Sequence, residues 1–263
     1  MDFEYSDEQR LFSETLRKFL NTGYGFDARA KIITSSAGFS EDVWAAMAEM
    51  GILGVPFDAE HGGFGGNTVD MMVVMEALGE ALVVEPYLAT VGLGGRFIAR
   101  GGTVAQQKQI LPSLIAGKTK MAFAQTEPGA RYDLARVSTR ATPSGDGWVL
   151  EGDKRAVLHG GCADLLVVSA RTAGAEGDAH GISVFLVERG APGVTVSEYR
   201  GLDNLRLADV RLSGARVARA GLLGAEGGGW SLIEEVPSRR CSTAWSTSSL
   251  PTSRRARSRA WRA

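Results

Sequence analysis

From residue 6 to about residue 118 the apolar positions follow a helical period. Leu11, Phe12, Leu16, Phe19 and Leu20 recur every three or four residues, with Arg10, Glu14, Arg17 and Lys18 on the other faces, and Ser6 with Gln9 makes a capping box ahead of them. Ser40 is placed to cap a second helix that carries Val43, Trp44, Met47 and Met50 and that Gly51 ends. Thr68 is expected to cap a third, with Met71, Met72, Met75, Leu78 and Leu82 as core-filling residues on its buried side. Thr103 and Gln106 form another capping box before Ile110 and Leu111. Between two of these helices the glycines of Glu60-His61-Gly62-Gly63-Phe64-Gly65-Gly66 predict a tight connection with positive φ angles; no strand precedes it in the order a dinucleotide-binding turn requires.

After Gly117 the period falls to two. Residues 121–126, 135–141, 148–151, 164–170, 181–187, 194–199 and 209–212 are short alternating or β-branched runs separated by turn clusters such as Ser144-Gly145-Asp146-Gly147. The expected fold class is therefore α+β: an all-helical domain over residues 1–118, then a small antiparallel β-barrel or sandwich over 119–225. Trp230, Leu232, Ile233 and Val236 look like the opening turns of a further helix in 226–236, which Pro237 interrupts. Residues 237–263 are mostly Ser, Arg, Ala, Thr, Pro and Trp without apolar period. A GC-rich gene read in the wrong frame gives such a composition, and a disordered basic tail is the other reading.

Charge sharpens that division. The 237–263 segment holds seven arginines and no acidic residue, so the body carries 22 basic against 30 acidic residues and gives no reason to expect nucleic-acid binding. A composition of 44% hydrophobic and 22% charged residues is that of a soluble globular protein. No apolar run is long enough to span a bilayer, and the acidic N-terminal residues are unlike a secretory signal, so no membrane contact and a cytoplasmic location are expected. Cys162 and Cys241 read as isolated reduced thiols, and His61, His159 and His180 are scattered, so no metal site is expected.

The stretch Phe123-Ala124-Gln125-Thr126-Glu127-Pro128-Gly129-Ala130-Arg131-Tyr132-Asp133 sets a polar turn directly after the first strand-like run. It resembles the Thr-Glu-Pro-Gly-Ala-Gly-Ser-Asp segment of the flavin-dependent acyl-CoA dehydrogenases. Further segments agree in order over residues 1 to about 236: Asp2 to Gln9, Glu60 to Gly65, Leu111-Pro112 with Gly117, and Ala208 to Leu212 before Leu223-Gly224. Within that family Arg131 to Leu134, Val157 to Gly160 and Glu85 to Thr90 look most like the small subunit of pimeloyl-CoA dehydrogenase, a dicarboxyl-CoA enzyme.

The resemblance implies FAD as cofactor, an acyl-CoA thioester as substrate of an α,β-dehydrogenation, an electron-transferring flavoprotein as acceptor, and assembly as a homotetramer or as a heterotetramer with a large subunit. It places Phe123, Gln125 and Thr126 along the flavin; by themselves they also suit an ordinary strand edge and turn. Tyr132 stands where the family has serine. Ala156-Val157-Leu158-His159-Gly160 replaces Trp-Ile-Thr-Asn-Gly, so Leu158 and His159 are candidates for the second flavin wall, a core leucine and a loop histidine being the alternative. The catalytic glutamate of the family comes from a C-terminal helical domain that the sequence reading finds missing after Val236. Glu234 and Glu235 have no spacing that sets them over a substrate, so no catalytic residue is assigned. A non-catalytic subunit supporting a catalytic partner is the second function class, and a nucleic-acid binder acting through the basic tail a third.

Overall fold

The computed structural model describes residues 5–131 and 133–236. Tyr132 and the 237–263 segment, on which sequence expectations fall, lie outside the described residues.

The helical part holds α1 (Asp7–Gly23), α2 (Phe26–Thr34), α3 (Glu41–Glu49), α4 (Thr68–Glu80), α5 (Arg96–Gly101) and α6 (Val104–Ile115). Local chemistry sets several of their starts. Gln9 N–H donates to Ser6 Oγ and Ser6 N–H to Gln9 Oε1, closing the expected capping box of α1, and Thr103 with Gln106 does the same for α6. Ser40 caps α3 through Val43 N–H, and Gly51 follows that helix with φ +75°. The cap of α4 is Asn67, one residue before the expected Thr68: its Oδ1 accepts Val69 N–H at 2.6 Å. The expected stripe holds in part: Leu78 is buried and Met71 and Met75 pack half-buried against the core, while Met72 and Leu82 are exposed and Val73, Val74 and Ala77 take the most buried positions.

The Gly-rich connection is tight, as its composition requires: Gly62 and Gly65 have φ of +89° and +65°. Gly63 is fixed by space instead, since a Cβ there would lie 2.0 Å from the Phe57 carbonyl oxygen and 2.7 Å from that of Gly54. Gly63→Ala is expected to cost about 1–3 kcal/mol, measured as a lowered thermal midpoint; an unchanged midpoint would show that this turn yields freely.

The sheet has eight strands: β1 (Met121–Ala124), β2 (Arg140–Ser144), β3 (Gly147–Leu158), β4 (Leu165–Arg171), β5 (Ile182–Glu188), β6 (Val194–Arg200), β7 (Arg206–Ala218) and β8 (Leu222–Leu223). Their order is β6-β7-β3-β2-β4-β5-β8, with β1 also on β4. This corrects the expected closed antiparallel barrel. The path is open between β6 and β8, and the sheet is mixed, because β1 and β2 both run parallel to β4. Alternation reports which face a residue buries but not the direction of a distant pairing partner. The run at 135–141 likewise joins the sheet only from Arg140 onward.

Two cores flank the sheet. Met121, Val167, Ile182 and Val184 join the core of the helical part, whereas Ala122, Ala124, Leu166, Val168 and Phe185 face a second core enclosed by the curled sheet. Strands buried on both faces read as continuous apolar runs, as β4 does. A short helix α7 (Gly229–Glu235) then packs back on the helical part, where Arg100 pairs with Glu235 at 3.3 Å.

Candidate functional site

One edge of β4 is occupied throughout by β5; the other carries β1 over Leu165–Val168 and β2 only at Arg171. The chain therefore leaves the sheet after Ala124 and returns at Arg140, and the intervening residues form a loop out of that edge. Glu127 holds it. Its carboxylate is 3% exposed and accepts Ser138 N–H at 2.6 Å, the Ser138 hydroxyl, Thr139 N–H at 3.1 Å and Lys154 Nζ at 2.6 Å. Lys154, fully buried on β3, also donates to Ser169 Oγ at 3.1 Å and to the Gln125 carbonyl at 3.4 Å. Burial pushes the Lys154 ammonium down, to about 8, against the pull of Glu127. Burial acts on Glu127 in the opposite sense, but the Lys154 charge and the four donors outweigh it and hold the carboxyl below its usual range. The pair is ionised at neutral pH.

The second segment approaches the first directly. Arg155 N–H donates to the Thr126 carbonyl at 2.8 Å, and β3 slips register between Lys154 and Val157, leaving Ala156 with φ +51°. Asp209 on β7 secures this bulge: Oδ1 accepts Ala156 N–H at 3.3 Å and Oδ2 pairs with the Arg155 guanidinium. His159 follows with φ +55° and gives its N–H to the Arg206 carbonyl at 2.8 Å. Its ring is buried and Nδ1 has no hydrogen-bond partner among the described residues; burial, assisted by Arg206, pushes the imidazole down to about 4. Cys162, half-buried, has its thiol pushed up to about 12 by burial.

Leu158 and His159 line a cavity of about 290 Å³ whose other walls include Met75, Leu78, Val83 and Tyr87 from the helical part. A mainly apolar recess with a few polar groups is the ordinary form of a small-molecule site. Thr126 stands exposed beside Arg155, and its hydroxyl makes no hydrogen bond among the described residues. At Gly129, φ +79°, no atom lies within 4 Å of where a Cβ would sit. The exposed loop with its free hydroxyl fits the edge of a flat heteroaromatic group such as a flavin; the apolar recess, whose lining includes no residue of that loop, is related to it only through the 154–158 segment.

The candidates from sequence thus divide. Thr126 meets the 154–158 segment, and Leu158 and His159 reach the cavity. Phe123 packs its ring against Phe97 at 4.5 Å between centroids, and Gln125 donates through Nε2 to the Leu134 carbonyl at 3.0 Å, bracing the loop. The sequence pattern does not single out Glu127, Lys154 or Asp209, although Glu127 lies within the motif itself and Lys154 interrupts an apolar alternation.

Two acid windows follow from these groups. The folded pKa of His159 lies below its ordinary 6.5, so its contribution to stability is complete above about pH 6.5 and declines as pH falls toward 4. That of Glu127 lies below 4.5, so its contribution persists above that value and is lost only as pH falls further. The urea midpoint should fall in both windows, and His159→Asn should flatten the first alone; an unaltered slope between pH 6.5 and 4 would refute the assignment.

Residues 6–118 match the model of the acyl-CoA dehydrogenase N-terminal domain, and residues 122–215 that of the acyl-CoA dehydrogenase middle domain. Over 248 residues the chain is 33% identical to the mitochondrial long-chain specific acyl-CoA dehydrogenase of Rattus norvegicus, a match covering 90% of this chain and 56% of the relative. An acyl-CoA dehydrogenase from Geobacillus kaustophilus shares the fold with a TM-score of 0.79 at 31% identity, over 89% of this chain and 63% of that one. A chain of the ChsE4-ChsE5 complex from Mycobacterium tuberculosis does so with a TM-score of 0.79 at 27% identity, over 89% and 60%. The helical part followed by a mixed sheet is the architecture this chain shares with these solved structures. The chain belongs to the acyl-CoA dehydrogenase family, and it spans little more than half the length of the curated rat relative.

Proposed function

We propose that this chain forms part of an FAD-dependent enzyme that introduces a double bond between Cα and Cβ of an acyl-CoA thioester, with a dicarboxyl-CoA as the substrate type. FAD, when bound, supplies the acceptor for the hydride leaving Cβ. Thr126 and the backbone around Gly129 are suited to hydrogen-bond its ring, Leu158 and His159 to wall the recess that excludes water, and Phe123 and Gln125 to keep the loop in place. Electrons then pass to an electron-transferring flavoprotein, and a cytoplasmic location belongs to the same reading. The carrying observation is the Arg155 N–H to Thr126 carbonyl bond, which ties the Thr126 loop to the segment whose Leu158 and His159 line an apolar cavity.

The likeness to a chain of the ChsE4-ChsE5 complex favours a second reading, a subunit that works beside a catalytic partner. Two acidic residues line the cavity: Glu85 accepts Ser40 N–H through Oε1 at 3.2 Å, while its buried Oε2 has no hydrogen-bond partner among the described residues, and Asp203 accepts Leu205 N–H at 3.1 Å. No described residue is assigned as the proton-abstracting base. Titration with FAD, followed by a dye-reduction assay with pimeloyl-CoA and with octanoyl-CoA, separates the readings. Activity of the chain alone supports the enzyme; activity only with an added large subunit supports the partner. Absence of both flavin absorption and association with such a subunit would overturn both readings.

A further inference from the structure

Resting on the flavin reading above, we infer that Tyr199 supplies an aromatic face at the rim of the cofactor site, with Asp209 as its positioning residue. Tyr199 lies on β6, an edge strand whose side chains are otherwise largely polar and exposed. It opposes Leu207 of β7, and Ser197 opposes Asp209, so Tyr199 and Asp209 stand on one face of the sheet. That face is the solvent-facing one, since Ala208 and Val210 between them are buried.

An exposed tyrosine on a sheet edge needs no explanation by itself. What distinguishes this one is its tether. Its hydroxyl lies 3.4 Å from Asp209 Oδ1, the same oxygen that accepts Ala156 N–H at 3.3 Å, while Oδ2 takes the Arg155 guanidinium. Arg155 N–H in turn reaches the Thr126 carbonyl at 2.8 Å. One run of contacts therefore connects the phenol to the loop that bears the free hydroxyl. Thr126, Arg155 and Ala156 along it are all exposed, and the methyl of Ala156 is too small to cover the ring. A ring 40% exposed, held at its polar end, offers a preorganised surface to another flat aromatic group, which gains more from an offset stack than from area alone. The polar end also explains why the position is tyrosine on an otherwise polar strand: the hydroxyl fixes the ring by the carboxylate that already fixes the bulge.

The test is fluorescence of bound flavin. A phenol stacked on isoalloxazine quenches its emission, and leucine does not. Wild type titrated with FAD is expected to give a dim complex. Tyr199→Leu should bind more weakly and give a complex several-fold brighter, while Tyr199→Trp should stay dim. Far-UV circular dichroism of the variants, altered at an exposed site, should match wild type. If wild type binds FAD and the Leu variant is as dim and as tight, the role of Tyr199 is refuted and the flavin site stands. If wild type binds no FAD, the functional reading fails together with this inference.

Discussion

Glu127→Ala is expected to lower stability by about 3–5 kcal/mol, the cost of leaving one partner of a buried ion pair uncompensated. The stranded group is Lys154, 0% exposed, which would keep only Ser169 Oγ and the Gln125 carbonyl as partners. Ser138 and Thr139 would lose their acceptor in the same step, so the loop that returns to β2 loosens with it. Lys154→Met should cost less, because Glu127 would retain the backbone donors of Ser138 and Thr139. The double replacement Glu127→Gln, Lys154→Met should recover much of the loss, since a buried pair contributes little net stability over neutral residues of similar size. Urea midpoints of the three variants decide this. A Glu127→Ala protein as stable as wild type would show that the pair is hydrated, not buried.

Arg171 carries the second large effect. It is 3% exposed and its guanidinium serves five carbonyls: Nε donates to Val137 at 3.0 Å, Nη1 to His180 at 3.0 Å and to Ala173 at 3.3 Å, Nη2 to Ala135 and Asp178 at 3.0 Å each. Burial pushes its pKa down, yet a guanidinium stays charged at any accessible pH. Arg171→Met would leave those oxygens in search of water, and each unsatisfied buried group costs about 1–3 kcal/mol; a total loss of at least about 3 kcal/mol is expected. Arg171→Lys should rescue only part of it, because one ammonium cannot span carbonyls from both 135–137 and 173–180. Protease cleavage in either loop should quicken in step. A Lys variant with the wild-type urea midpoint would show that charge, not the planar fork, does the holding.

These two residues also mark the limit of what the chain disclosed by its pattern. Helices with a polar cap and an apolar stripe, such as α1 and α6, were plain because their signals are local. The stretch Leu88–Gly95 lies in the block that reads as helical but forms a π-helix buried nearly all round, so it has no polar face to set a period and its bounds are not legible in the sequence. Alternation at Ala135 and Val137 looked like a strand, but their carbonyls face Arg171 and not a neighbouring strand. Parallel pairing of β1 with β4 depends on partners some forty residues apart, and no turn residue announces it. In the site, Thr126, Leu158 and His159 came from motif resemblance, whereas Glu127, Lys154 and Asp209 act through contacts made only in the folded chain.

The long pairing of β3 with β7 sets the timing of this site. Leu158 is the register partner of Leu207, and Gly147 that of Ala218, so the bulge at Ala156 and its Asp209 clamp have no template until the later strand has emerged. On the ribosome the Thr126 loop is made early and must wait, with its Lys154 counter-ion nearby but its second wall unformed. Closing so large a loop is slow, because chain entropy is lost before the non-local contacts repay it. A nascent chain arrested before residue 206 should accordingly protect the amides of α1 and α6 from exchange while those of the β3 residues beyond the β2 hairpin, such as Val157 and Leu158, remain open.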